Sequence, residues 1–96
     1  MHVTIHTAAI PAGRVNISNG AAEMVRMGLK PPQPARVDRV QALAAALISE
    51  CEAIRDDAIS ATVGGLPARG AREASIAITE IQTASLFAVA AVMAAL

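Results

Sequence analysis

The sequence predicts a mainly α protein: an antiparallel helical hairpin with a short extended or β amino-terminal segment, working as an oligomer. Three observations carry that prediction. Two long stretches, residues 36–60 and 71–96, hold apolar residues at helical spacing. The break between them contains Val63-Gly64-Gly65-Leu66-Pro67, and helices joined by so short a turn pack antiparallel. Finally, 54% of the 96 residues are hydrophobic and 17% are charged. A domain this small has too much surface to hide that much apolar area alone, so other copies or lipid must cover part of it. Residues 1–96 read as one domain, with 1–35 an arm and 36–96 the hairpin.

The arm has no helical period at its start. HVTIH alternates apolar Val3 and Ile5 with polar His2, Thr4 and His6, as a strand does. Pro11 and Gly13 signal a turn, and RVNIS alternates again, which suggests a small hairpin of strands. Asn19-Gly20 reads as a second turn, Ala21 to Met27 as a short helix ended by Gly28. KPPQP, Lys30 to Pro34, is too rich in proline for a helix interior and reads as a stiff arm.

The first long helix is expected from about Arg36 to Ser60. Val37, Val40, Ala44, Leu47, Cys51, Ile54 and Ala58 form a seam like that of a coiled coil. Asp38 complements the helix dipole, and Arg39, Glu50, Arg55 and Asp57 make a solvated face. The last helix is expected from Ala68–Ala71 onward. One row holds Ile78, Ile81, Ser85, Ala88 and Val92; another holds Ile76, Thr83, Phe87 and Ala90. Apolar residues on two sides suit a helix held between its hairpin partner and a neighbouring subunit.

Charge and composition exclude several functions. Formal net charge is zero, which argues against binding duplex DNA or RNA, where affinity comes from neutralising many phosphates. Cys51 is the single cysteine, so no disulfide framework or thiolate zinc site is expected, and a thiol on the seam acts as a small hydrophobe. The amino terminus does not read as a signal peptide, and a reducing cytoplasm is the expected compartment. The sixteen residues after Glu80 are too few to span a ~30 Å hydrocarbon core, so no membrane is expected.

Enzymatic sites are equally hard to assemble. His2 and His6 have a helical metal spacing on a segment that reads as extended, so no metal is expected. No Ser-His-acid set exists, and the cluster Glu50, Glu52, Asp56 and Asp57 reads as surface charge beside Arg55. The start of the last helix is a better candidate. Arg69 and Arg72 lie at its first turn, and Arg72 and Thr79, seven residues apart, share one face. Guanidinium, hydroxyl and a helix amino end together can hold a phosphate. The same spacing also fits an arginine paired with Glu73 or Asp57 and a threonine packed in a helix.

The stretch REASIAITEIQTASLFAVAAV resembles the carboxy-terminal helix of the phage anti-defence sponges that counter the bacterial CBASS and Thoeris systems. Arg72, Thr79, Gln82 and Leu86-Phe87 occupy the matching places, and VRMGLKPPQPARVDRVQALAAALISECEAI is similar to the part that precedes that helix. The resemblance implies a helical hairpin that assembles as dimers and then hexamers, with no enzymatic activity and no cofactor. It implies capture of cyclic dinucleotides, cyclic trinucleotides or cyclic ADP-ribose isomers between subunits, in the cytoplasm of an infected bacterium. Carried over, Arg72 and Thr79 contact phosphate. Arg69 is added from the basic first turn, and Lys30 and Arg26 close the pocket from a neighbouring subunit. The chain departs from the family in reading LKPPQP before the first long helix and in having Phe87 as its one aromatic residue. Bases would then stack on arginine planes, prolines or methionines. The alternative is a structural or adaptor oligomer with no small-molecule ligand.

Overall fold

A computed structural model of the chain describes residues 2–5, 13–27, 34–61 and 69–96. Five elements follow in order: β1 (His2–Ile5), β2 (Gly13–Asn16), α1 (Asn19–Met24), α2 (Ala35–Ser60) and α3 (Ala71–Ala94). The strands pair antiparallel with His2 opposite Asn16 and Ile5 opposite Gly13. The protein is mainly helical, and α2 and α3 dominate it. The first turn of α2 shares a groove with the last turn of α3, at Pro34 and Arg36 beside Ala91, Val92, Ala95 and Leu96. At the other level Ile48 and Cys51 meet Ile78. The two helices therefore run antiparallel, as the short break between them requires.

The helix ends follow from local chemistry. Proline at position 34 lacks an N–H to lose, and its carbonyl accepts from the amides of Val37 (2.9 Å) and Asp38 (3.3 Å) to open α2. Asp38 lies in that first turn, where the helix dipole favours a carboxylate. Gly70 sits before α3 at φ 107°, a conformation glycine adopts freely. Asn19-Gly20 is not a turn but the opening of α1. Ser18 overrides the turn signal, because its hydroxyl accepts from the Ala21 amide at 3.0 Å as an N-cap.

The core lies where α1 crosses the hairpin. Ile17, Ala21 and Val25 from the arm cover Ala45, Ala46, Ile48 and Cys51 of α2 and Ile78 of α3. Alanines at this crossing let the three backbones approach closely. A polar relay pins the arm beside it. The Ser18 amide donates to Ser49 Oγ (3.1 Å), which itself donates to the Ala45 carbonyl (2.9 Å). The Ser18 hydroxyl donates to Glu52 Oε1 at 2.7 Å. Glu52 is thus a partner for the amino end of α1 rather than a free surface charge. Arg55 meets Asp56 at 3.5 Å, as the sequence suggests.

The seam of α2 differs from the one read in the sequence. Val37, Gln41, Ala45, Ile48, Cys51 and Ala58 are buried, whereas Leu47 and Ile54 are 53% and 54% exposed. Two adjacent apolar stripes run along α2, and the chain's own core uses the one that carries Val37, Ala45, Ile48 and Cys51. On α3 the inward row is Ala74, Ile78 and Ser85, with Ile81, Ala88 and Val92 half-buried. Ile76 and Phe87 point away, Phe87 at 74% exposed. The length argument against a membrane also needs correction. α3 has 24 residues and is long and apolar enough to cross one by length and composition. Counting only from Glu80 underestimates it, because the helix extends back through Glu73 and Arg72.

Two stability effects should follow. Ile48→Ala, at a fully buried position, is expected to cost about 2–5 kcal/mol in urea unfolding at fixed protein concentration. Ser18→Ala removes the α1 cap and is expected to cost about 1–2 kcal/mol, read as faster amide exchange at Ala21.

Candidate functional site

The candidate site begins at the amino end of α3. Among the described residues no side chain caps that end, whose N-cap residue is Gly70, and free first-turn amides attract anions. Arg69 and Arg72 are both exposed there, and among the described residues neither makes an ion pair. The pairing of Arg72 with Glu73 or Asp57 allowed by the spacing is therefore absent. Two turns along, Thr79 is also exposed, roughly 10 Å from the level of Arg72. Its hydroxyl donates to the Ser75 carbonyl at 3.4 Å, and Ser75 donates to Ala71 at 3.1 Å. A bond that long is readily exchanged for a stronger acceptor such as a phosphate oxygen.

Arg72, Thr79, Leu86 and Met93 recur at sevens along one line of α3, and all four are exposed. The line is polar in its first half and apolar in its second. It faces away from α2, so the chain's own hairpin partner cannot enclose it. The open groove of ≈ 440 Å³ at Pro34, Arg36 and Leu96 lies at the opposite end and includes none of the predicted site residues.

Arg26 belongs to a different level of the molecule. It follows α1 at φ 60°, left-handed, in the position that glycine usually takes after a helix. The Arg26 amide donates to the Glu23 carbonyl (3.0 Å) and the Met27 amide to the Ala22 carbonyl (2.9 Å). These two bonds are the Schellman pattern of a helix end. Among the described residues, the carbonyls of Met24 and Arg26 have no backbone donor. Gln82 Nε2 of α3 donates to Met24 at 3.4 Å, and Gln41 Nε2 of α2 donates to Arg26 at 3.2 Å. The Gln82 level is roughly 15 Å along α3 from Arg72. One chain therefore brings Arg72 and Thr79 to one helix face, with Arg69 in the turn just before it, but sets Arg26 apart, and Lys30 lies outside the described residues.

Gln41 is a costly residue where it sits. It is 3% exposed, and its Oε1 has no hydrogen-bond donor. A net bond adds about 1 kcal/mol, whereas an orphaned buried acceptor costs about 1–3 kcal/mol. The sequence signal for it was a single glutamine interrupting the apolar row Val37-Gln41-Ala45-Ile48.

No curated protein and no solved structure gives a significant match to the chain. The family described as the Acb2/Tad1 hairpin domain matches residues 21–93, a span that takes in α1's core residues and both long helices. That family comprises the sponges that act against CBASS and Thoeris defence. The resemblance carried by Arg72, Thr79, Gln82 and Leu86-Phe87 thus extends to the whole hairpin, and the chain belongs to the Acb2/Tad1 hairpin family.

Proposed function

We propose that this protein captures a cyclic nucleotide second messenger between its subunits and holds it intact, denying the signal to a bacterial immune effector. The observation that carries the reading is the α3 line: Arg72 and Thr79 are exposed on one face near the helix's amino end, Arg72 with no ion pair among the described residues and Thr79 with only a 3.4 Å bond back to the Ser75 carbonyl. Charge-assisted hydrogen bonds from Arg72 and Arg69, with the Thr79 hydroxyl, would hold phosphate. Burial of the bases between copies would supply the rest. Capture is stoichiometric, with no enzymatic step, in the cytoplasm of an infected cell. Cyclic dinucleotides, cyclic trinucleotides and cyclic ADP-ribose isomers are the ligand classes.

Assembly is the second half of the proposal. Leu43, Leu47 and Ile54 are exposed on one face of α2, interrupted by Glu50, and Ile76 and Phe87, with Leu86 on the adjoining face, are exposed on α3. Soluble monomers rarely expose large apolar patches. Dimers that join into a hexamer would cover both and close clefts over the Arg72–Thr79 face. Arg26 and Lys30 would reach those clefts from a neighbouring subunit, which accounts for Arg26 lying apart from Arg72 within one chain.

A thermal-shift panel of the three ligand classes tests the function. A captured messenger at 100 times its dissociation constant should add ~2.7 kcal/mol of stability. Flat curves from an assembled sample would favour the adaptor oligomer. Light scattering that finds a discrete particle only in detergent would favour a membrane role for α3. Arg72→Ala should weaken capture roughly 10- to 100-fold by calorimetry, with the assembly intact. Leu47→Asp should act first on assembly: its side chain is half exposed in the single chain, so helix content is retained while the scattering mass falls.

A further inference from the structure

We infer that Gln41 and Gln82 are positioning residues that hold Arg26 in its left-handed conformation and so aim its guanidinium out of the arm at the captured messenger. The inference rests on the sponge reading for what Arg26 meets, and on the geometry alone for how Arg26 is held. Each glutamine comes from a different hairpin helix. Each donates to one of the carbonyls that the Schellman turn leaves open, Met24 by Gln82 and Arg26 by Gln41. The arm's last described turn is therefore fastened to both helices at once, and its orientation is set by the hairpin rather than by α1, which is only six residues long.

Two features are unfavourable for stability and become intelligible together. The left-handed position after a helix suits glycine, yet it holds an arginine. The buried row of α2 suits an apolar residue, yet it holds a glutamine with an orphaned oxygen. Strain and unsatisfied polarity that coincide at one carbonyl point to a side chain whose placement matters. The Arg26 side chain is exposed and, among the described residues, makes no ion pair, so its charge is available. A glycine would satisfy the turn and a leucine would satisfy the core, and neither would present a cation at this place.

The test separates holding from capture. Gln41→Leu should keep helix content and particle size while the Arg26 and Met27 amides exchange at least about 10-fold faster. The panel member that most stabilises the parent should bind this variant about 10-fold more weakly. Arg26→Gly should raise the melting temperature yet lower capture of the same messenger, and Arg26→Lys should restore part of it. If Gln41→Leu does not fold, Gln82→Ala gives the same readings from a half-buried position. Parent-like exchange in the glutamine variants would overturn the positioning role. Faster exchange with unchanged capture would reduce the pair to a structural fastening and overturn the inference. A parent that binds no member of the panel would show that the sponge reading itself has failed, before any variant is compared.

Discussion

The structure depends on one constraint: each long helix is apolar on two sides, and the chain can cover only one. α2 lays Ala45, Ile48 and Cys51 under the arm and against Ile78, and that crossing consumes the buried capacity of a 96-residue chain. Hydrophobic stabilisation scales with the area removed from water, so the first stripe is enough to form the hairpin. The second stripe remains outside, at Leu43, Leu47 and Ile54 on one helix and Ile76 and Phe87 on the other. Residues with opposite demands end up on neighbouring lines of α3. Arg72 and Thr79 need water or a ligand, while Leu86 and Met93 need apolar cover. A second copy laid along that line meets both demands, since its apolar contacts bring a wall to the polar half.

The fold was legible wherever the signal was local. Prolines before Ala35 and glycines before Ala71 bracket the long helices, and both helices begin within a residue or so of where these breaks place them. The inward row of α3 was legible too, because Ile78 and Ile81 are bulky among alanines. The seam of α2 was legible in part: Val37, Cys51 and Ala58 are buried, but Leu47 and Ile54 are not. Its outer stripe carries Leu47 and Ile54, which look like core, whereas the buried row carries alanines and a glutamine. Side-chain size identifies a core only when the largest residues go inward. On α2 large residues lie on both stripes, Val37 and Ile48 inward and Leu47 and Ile54 outward, so size alone does not tell which stripe the chain buries.

The site was legible to a lesser depth. Seven-residue spacing is a property of any helix, so placing Arg72 and Thr79 on one face required only that α3 be helical. That Arg72 makes no ion pair among the described residues, and that Thr79 bonds only back to its own helix at Ser75, are facts that spacing leaves open. Arg26 shows the limit most clearly. Gly28 is the residue a sequence reading chooses to end the short helix, because glycine tolerates the left-handed turn at no steric cost. The chain makes that turn two residues earlier, at an arginine. What stabilises it are donors 15 and 58 residues from the carbonyls they reach, Gln41 to Arg26 and Gln82 to Met24, and no local pattern could reveal them.

That arrangement explains how a short arm can take part in recognition. A six-residue helix is marginal in water, and a cation at its end would sample many directions. Ser18 fixes the front of α1 to Ser49 and Glu52, and the two glutamines fix its back. Fastened at both ends, the arm inherits the rigidity of the hairpin beneath it. A cation presented this way loses little further freedom when an anion arrives, so more of its electrostatic attraction remains as affinity. On the proposed sponge reading, the orphaned oxygen of Gln41 would be a local cost met in advance, during folding, rather than at the moment of capture.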